Sequence, residues 1–164
     1  ILQRNDVELS KKQFKTLLNG VIEQDKDLVI EGPDQMTAVT EKAPTTQELI
    51  DLHFANKIVK HTKSNTIVFV KNDQLLSSGV GQTSRVDALK QAIVKAEAFG
   101  FDLKGSVMAS DAFFPFPDCV EIAAEAGITA VLQPGGSIKD ADSVNMANEK
   151  GIAMVTTGIR HFKH

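Results

Sequence analysis

The feature that most constrains this 164-residue chain is a regular alternation of short apolar runs with segments of helical spacing in its C-terminal half. The apolar runs are predicted as strands at 106–110, 128–132 and 152–156. The segments between them, 118–126 and 138–150, are predicted as helices. Strands and helices that alternate in this way form a mostly parallel sheet with helices on both faces. The sequence therefore predicts an α/β fold.

A hairpin and further helices are predicted ahead of this alternation. The β-branched run 66–70 and its partner 74–80 flank the turn signal Asn72-Asp73, so the predicted sheet is mixed. Thr45 and Glu48 have capping-box spacing, which begins a helix ending near residue 61. Ser84 caps a helix that closes at residue 100.

The start of the chain carries weaker signals. Ser10 as a cap, with Phe14, Leu17 and Leu18 at helical spacing, predicts a helix over 10–18. A turn-rich stretch and a short strand at 36–41 follow. The fold class predicted for the whole is a layered mixed sheet flanked by helices, in a single domain over 1–164.

Composition narrows the class of function. The net charge of -3 provides no basic field for binding nucleic acid. Cys119 is the only cysteine, so no internal disulfide can form, and no run of 18 apolar residues suggests a membrane span. We expect a cytoplasmic protein without nucleic-acid or membrane partners. Because the first residue is Ile1 rather than methionine, we also expect a piece of a longer polypeptide.

Three loops are expected to leave the carboxyl edge of the sheet, where α/β proteins bind ligands. In 79–85, Gly79 and Gly81 allow close approach of the backbone, and Arg85 in the first helical turn suits an anionic ligand group. An ordinary glycine turn with a solvated arginine remains the alternative. In 133–137, Ser137 and backbone amides could bind an anion or simply cap the next helix.

The loop 110–118 contains three phenylalanines and two prolines. The rings of Phe113, Phe114 and Phe116 either stack on a flat aromatic ligand or pack in the core. The four histidines are scattered, and one cysteine cannot supply the His/Cys/Cys set of a zinc deaminase, so that chemistry is excluded.

Five segments of this chain together resemble one family, in the same order. They are Lys63–Ile67, Gly79–Arg85, Gly105–Phe116, Gln133–Ser137 and Arg160–His164. The chain resembles the C-terminal part of the bifunctional purine biosynthesis proteins that join AICAR transformylase to IMP cyclohydrolase. The resemblance covers essentially the entire chain and is strongest from Thr45 onward.

The resemblance implies a function in one-carbon and purine metabolism. Members of the family transfer a formyl group from 10-formyltetrahydrofolate to AICAR, and a separate cyclohydrolase domain closes the ring to IMP. The transformylase consists of two subdomains that resemble cytidine deaminase without its zinc, and this chain is similar to the second. The cyclohydrolase domain and the first subdomain are absent from it. The family works as a homodimer with its active site between subunits.

The resemblance also assigns roles to residues. Asn65 matches a catalytic asparagine near the reacting amine. The positions that match AICAR contacts are Phe113, which stacks on the heterocycle, Ser137 and Arg160. The positions that match the folate side are Arg85, Val86, Pro115, Phe116 and Asp118. In some members a structural potassium ion lies near the positions matching Ser64, Asp111 and His164.

One departure bears on activity. The family's catalytic Lys-His pair lies in the first subdomain, and the adjacent Lys60 and His61 fall at a different place in the pattern. We therefore expect this chain alone to be inactive and to need the missing N-terminal part or a second subunit. The alternative function is a catalytically incomplete nucleotide-binding or dimerisation module.

Overall fold

The computed structural model describes residues 10–163, which form eight strands and four α-helices. The strands are β1 (Lys12–Leu17), β2 (Gly20–Asp25), β3 (Thr37–Ala38), β4 (Ile67–Lys71), β5 (Gln74–Gly79), β6 (Val107–Ser110), β7 (Ala130–Gln133) and β8 (Ala153–Thr156). The helices are α1 (Thr46–His61), α2 (Arg85–Ala98), α3 (Asp118–Glu125) and α4 (Asp140–Glu149), with a short 3-10 helix at Pro33–Gln35. Within the described part of the chain, no helix is long and apolar enough to cross a lipid bilayer.

Six of the strands form one mixed sheet in the order β3-β8-β7-β6-β4-β5. The strands β6, β7 and β8 are parallel, with Val107 beside Ala130 and Ala130 beside Ala153. The hairpin strand β4 runs antiparallel to both β6 and β5, and β3 runs antiparallel to β8. The hairpin turns at Asn72 and Asp73, as the sequence predicts.

Alternate residues of each strand point to opposite faces of this sheet, and both faces are covered. On one face, Ile67 and Phe69 belong to the buried cluster that contains residues of α2, α3 and α4. On the other face, Val68 and Val70 pack in a cluster with the apolar side of α1. Burial on both faces explains why the central strands β4, β6 and β7 are apolar along most of their length. The predicted layered mixed sheet flanked by helices is confirmed.

The prediction of a helix over 10–18 is wrong. This region is an antiparallel hairpin in which Leu17 lies beside Gly20 and the two-residue turn is Leu18-Asn19. Helices in proteins are stabilised mostly by packing of their apolar face, and helical spacing alone does not form one here. Every residue of β1 and β2 is exposed, including Phe14 at 60%. The apolar positions that indicated a buried helical face therefore contact no core in the described structure.

The other elements occur in the predicted order, with shifted ends. The capping box at the start of α1 is present: Glu48 N donates to Thr45 Oγ1 at 3.2 Å, and Thr45 N donates to Glu48 Oε2 at 2.7 Å. The strand predicted at 36–41 is only the two residues of β3. The helix predicted over 118–126 is α3, which begins at Asp118 as predicted and has Pro117 as its N-cap.

Candidate functional site

The three loops that follow β5, β6 and β7 leave the same edge of the main sheet. Strand pairing establishes this, because Ile67, at the start of β4, lies beside both Gly79 and Ser110. In the parallel part, Gln133 at the end of β7 lies beside Thr156 at the end of β8. We call this side of the sheet the carboxyl edge. The predicted convergence of the three loops at one edge is confirmed.

Arg85 is at the centre of a polar cluster at this edge. Its Nε donates to Ser110 Oγ at 3.0 Å, and its Nη2 donates to Asn65 Oδ1 at 3.1 Å and to Asp111 Oδ1 at 2.9 Å. The Arg85 side chain is 10% exposed and the Asp111 side chain is fully buried. The anion that suits Arg85 is thus supplied by Asp111 of the same chain, and the guanidinium links the start of β4, the start of α2 and the end of β6.

Asn65 is oriented by contacts to the neighbouring loop. Its Nδ2 donates to the carbonyl oxygens of Gln82 at 3.1 Å and Thr83 at 3.2 Å, while its Oδ1 accepts from Arg85. A side-chain amide has two N–H donors and an oxygen with two lone pairs. Both donors of Asn65 are used, so the side chain retains capacity only to accept one further hydrogen bond.

The three phenylalanines of the loop after β6 have different roles. Phe114 is fully buried in the core, and its backbone N–H donates to Gln133 Oε1 at 2.9 Å. Phe113 is half-buried, with the guanidinium carbon of Arg160 at 5.5 Å from its ring centroid. Phe116 is 52% exposed, with Lys139 Nζ at 4.5 Å from its ring centroid. Phe114 is therefore a core residue, whereas the rings of Phe113 and Phe116 are partly or largely exposed and lie beside the cationic side chains of Arg160 and Lys139.

The contact with Phe113 brings the C-terminal tail to the carboxyl edge. The His161 backbone N–H donates to the Asp111 carbonyl oxygen at 3.0 Å, one residue from Arg160. Ser64 and Lys163 exchange two hydrogen bonds, from Ser64 N to Lys163 O at 2.9 Å and from Lys163 N to Ser64 Oγ at 2.8 Å. Two predicted AICAR contacts, Phe113 and Arg160, are therefore adjacent.

Ser137 lies on the loop that follows β7, at the same edge. Its Oγ accepts a hydrogen bond from Lys139 N at 3.1 Å, and Asp140 Oδ2 accepts from Gly136 N at 2.6 Å. These bonds shape the turn that leads into α4. Ser137 does not cap α4, because the N-cap is Lys139 and no side chain caps this helix. The capping role left open by the sequence is therefore wrong, and anion binding by Ser137 stays a prediction.

The remaining folate-side predictions lie on the loop and on the first turns of two helices. Pro115 is exposed, whereas Val86 is partly buried against the core. The Asp118 carboxylate is half-buried, and its Oδ1 accepts from Cys119 N at 2.8 Å. Burial raises the pKa of the Cys119 thiol to about 12, and the nearby Asp118 carboxylate adds to the rise. Cys119 is thus a protonated core residue and not a nucleophile.

Part of the predicted potassium site can be tested on the described residues. Asp111 Oδ2 is buried and has no hydrogen-bond partner among them. A carboxylate oxygen without a partner fits a hard cation. No cluster of three or more His, Cys, Asp or Glu residues that could hold a metal occurs in 10–163. His164 lies outside the described residues.

Comparison with known proteins identifies the family. The model described as AICARFT/IMPCHase bienzyme matches residues 1–95. The chain belongs to this family. Three similar relatives are each named bifunctional purine biosynthesis protein PurH. The protein of Bacteroides thetaiotaomicron is 68% identical over 100% of this chain and 32% of its own length. The protein of Aquifex aeolicus is 55% identical over 92% of this chain and 29% of its own length. The protein of Chlorobaculum parvum is 51% identical over 100% of this chain and 31% of its own length.

The chain spans about a third of the length of the relatives it matches. Solved structures are similar at lower levels. The apo dCMP deaminase of cyanophage S-TIM5 has a TM-score of 0.49 and 18% identity, covering 65% of this chain and 94% of that chain. A deaminase/reductase of Thermotoga maritima has a TM-score of 0.44 and 21% identity, covering 68% of this chain and 35% of that chain.

Sequence reasoning missed several residues that shape the site of this family member. Gln133 orients Phe114 from the neighbouring strand, and Ser110 accepts from Arg85. Glu31 and Asp27 contact the ring of His161 in the tail. The available signal was two carboxylates in the turn-rich stretch near the start of the chain, which the periodicity of the sequence assigns to solvent.

Proposed function

We propose that this chain supplies the AICAR contacts and part of the folate contacts of an AICAR transformylase in purine biosynthesis. The family assignment and the name shared by the relatives support this proposal. The observation that carries it is the meeting of Asn65, Phe113 and Arg160 at one sheet edge, from three separate parts of the chain. In the proposed reaction, 10-formyltetrahydrofolate donates a formyl group to the amine of AICAR on the route to IMP.

The geometry suggests how the residues would act. The amine nitrogen forms a bond to the formyl carbon, the bond from that carbon to the folate nitrogen breaks, and a proton passes from the amine to the folate nitrogen. An aromatic amine is a weak nucleophile, so positioning provides much of the rate. The free lone pair of Asn65 Oδ1 can accept a hydrogen bond from the amine and orient it. Its two donors are already used, so stabilisation of the oxyanion has to come from other groups.

We further propose that this chain is the second transformylase subdomain and is inactive alone. Lys60 does not serve as the missing base, because its Nζ donates to the Val29 carbonyl oxygen at 2.6 Å. The exposed apolar side chains of the β1–β2 hairpin support a further contact with the remainder of the family protein or a second subunit. A cavity of about 410 Å³ between this hairpin and Lys63 and Lys163 is lined by none of the predicted site residues.

Potassium is also part of the proposal. The unpaired oxygen Asp111 Oδ2 would be one ligand, and the family resemblance assigns Ser64 and His164 to the same site. Bound there, potassium would supply a fixed positive charge that compensates the buried carboxylate. The ion would thereby stabilise the loop that carries Phe113.

Isothermal titration calorimetry with AICAR tests the proposed function. We expect saturable binding to the unaltered chain, and binding weaker by about tenfold or more in Arg160→Ala, because a charge-assisted contact is lost. Lys90→Ala removes a positive charge from an exposed position on α2 and serves as the matched control. Equal affinities for Arg160→Ala and the unaltered chain would contradict the role of Arg160.

The alternative of a dimerisation module is favoured by one observation, the exposed hairpin with Leu18 at 100% and Phe14 at 60% exposure. Analytical ultracentrifugation distinguishes the two functions. A stable dimer that binds neither AICAR nor a folate analogue would support the module. Ligand binding at the carboxyl edge would support the transformylase.

A further inference from the structure

A buried network of charged side chains lies beside the proposed AICAR contacts. The ring of His161, 1% exposed, is held between two carboxylates, with Nδ1 at 2.6 Å from Asp27 Oδ2 and Nε2 at 3.0 Å from Glu31 Oε2. Glu31 is fully buried and also accepts from Asn56 Nδ2 at 2.8 Å. Lys60 Nζ lies 3.7 Å from Asp27 Oδ1. The network joins the segment before the 3-10 helix, α1 and the tail.

Both ring nitrogens of His161 lie within hydrogen-bond distance of a carboxylate oxygen. Ionised carboxylates only accept hydrogen bonds, whereas a neutral imidazole has one N–H donor and an imidazolium has two. With both carboxylates ionised, only the imidazolium donates to Asp27 and to Glu31, and the second oxygen of Glu31, Oε1, is buried without a hydrogen-bond partner among the described residues. In that state two positive groups, His161 and Lys60, balance two carboxylates. Buried charges that are paired and hydrogen-bonded in this way tend to select one arrangement of the chain.

The backbone around His161 connects this network to the site. The His161 N–H donates to the carbonyl oxygen of Asp111, whose carboxylate binds Arg85. The preceding residue, Arg160, lies against the Phe113 ring. A change in the position of the His161 ring would therefore move Arg160 relative to Phe113. The folate-side residues on α2 and α3 have no bond to the ring among those of the described chain.

We propose that His161 is a positioning residue for AICAR binding. As an imidazolium between Asp27 and Glu31, it fixes the backbone of the tail so that Arg160 stays beside Phe113. The role of Arg160 in AICAR binding rests on the proposed function. The charge state of the His161 ring and its effect on the tail are independent of that function. The proposal adds Asp27, Glu31 and His161 as residues that do not touch the ligand but control the affinity for AICAR and not that for the folate.

The first measurement is the ¹H–¹⁵N NMR spectrum of the histidine rings. An imidazolium gives two ring N–H protons for His161, and we expect both to be observed and to exchange slowly with solvent because the ring is buried. A single ring N–H would overturn the proposed charge state. This result does not depend on any ligand.

The second measurement uses variants that separate positioning from folding. His161→Leu alone leaves the Glu31 carboxylate buried without its charged partner, so it can fail to fold. Glu31→Gln/His161→Leu removes both charges, and the Gln side-chain oxygen can still accept from Asn56 Nδ2. We expect this double variant to fold, with faster hydrogen exchange at the backbone amides of residues 161 and 163. His161→Gln, which retains one donor, should give an intermediate effect.

Ligand affinity then tests the functional part. In the double variant we expect affinity for AICAR to fall by about tenfold, as for loss of one charge-assisted contact, with affinity for a folate analogue unchanged. Lys90→Ala is again the matched control. Unchanged amide exchange in the tail, or an equal loss of both affinities, overturns the inference. If the unaltered chain binds no AICAR, the proposed function fails, while the ring spectrum and tail exchange still decide whether His161 positions the tail.

Discussion

Arg85→Ala removes the donor at the centre of the polar cluster at the carboxyl edge. The three hydrogen bonds of Arg85, to Ser110, Asn65 and Asp111, are lost together. The Asp111 carboxylate is fully buried, and its Oδ2 already has no hydrogen-bond partner among the described residues. Removing one partner of a buried ion pair costs about 3–5 kcal/mol, because the other charge remains buried without compensation. We expect the free energy of unfolding to fall by this amount.

Urea-induced unfolding followed by circular dichroism measures the loss directly. In a domain of this size, each kcal/mol lowers the melting temperature by about 2–4 °C, so Arg85→Ala should melt about 6–20 °C below the unaltered chain. Lys90→Ala removes a charge from an exposed position of the same helix and should change stability by less than about 0.5 kcal/mol.

The double variant Arg85→Ala/Asp111→Ala shows whether the cost comes from the unpaired charge. Because no charge remains buried, its loss should be smaller than the sum of the two single losses, with a coupling of about 0.5–3 kcal/mol. A loss below about 1 kcal/mol for Arg85→Ala, or strictly additive losses, would refute the reasoning.

Two further predictions concern the neighbouring elements. Gly79→Ala should lose more than about 1 kcal/mol, because the new Cβ would overlap the backbone of Ala88, whereas Gly20→Ala, with no atom within 4 Å, should be nearly neutral in an unfolding assay. Equal stabilities of the two variants would contradict this close approach of β5 and α2. The Cys119 thiol, with its pKa raised by burial to about 12, should react with thiol reagents only after unfolding, and stability should decrease as pH rises from about 9 toward 12, because only the unfolded thiol ionises there. Stoichiometric labelling of the native chain at neutral pH would contradict this prediction.

Most of the main sheet could be predicted from the sequence because its strands are buried on both faces. Runs such as 66–70 have no polar alternation, and caps such as Thr45 show where helices begin. The first hairpin could not be predicted from periodicity, because its apolar residues are exposed and their spacing does not reflect packing against a core. Its two-residue turn, Leu18-Asn19, is also not one of the sequence pairs that favour a tight hairpin turn.

The loops of the site could be located from the sequence, but the partners of their side chains could not. Arg85 was expected to bind an anion of a ligand, and that anion is Asp111, 26 positions away. The pairing of His161 with Glu31 joins residues 130 positions apart. Such contacts depend on the tertiary arrangement, which spacing along the chain does not encode. The substrate roles came from family resemblance, and they stay predictions.

Backbone amide NMR during titration with AICAR is the most direct test of whether the three loops and the tail form one binding site. The account predicts saturable shifts at Phe113, Ser137 and Arg160, with no change at Asn72 in the hairpin turn at the opposite edge of the sheet. Shifts confined to the region of Asn72, or no shift at a millimolar concentration of AICAR, would contradict it.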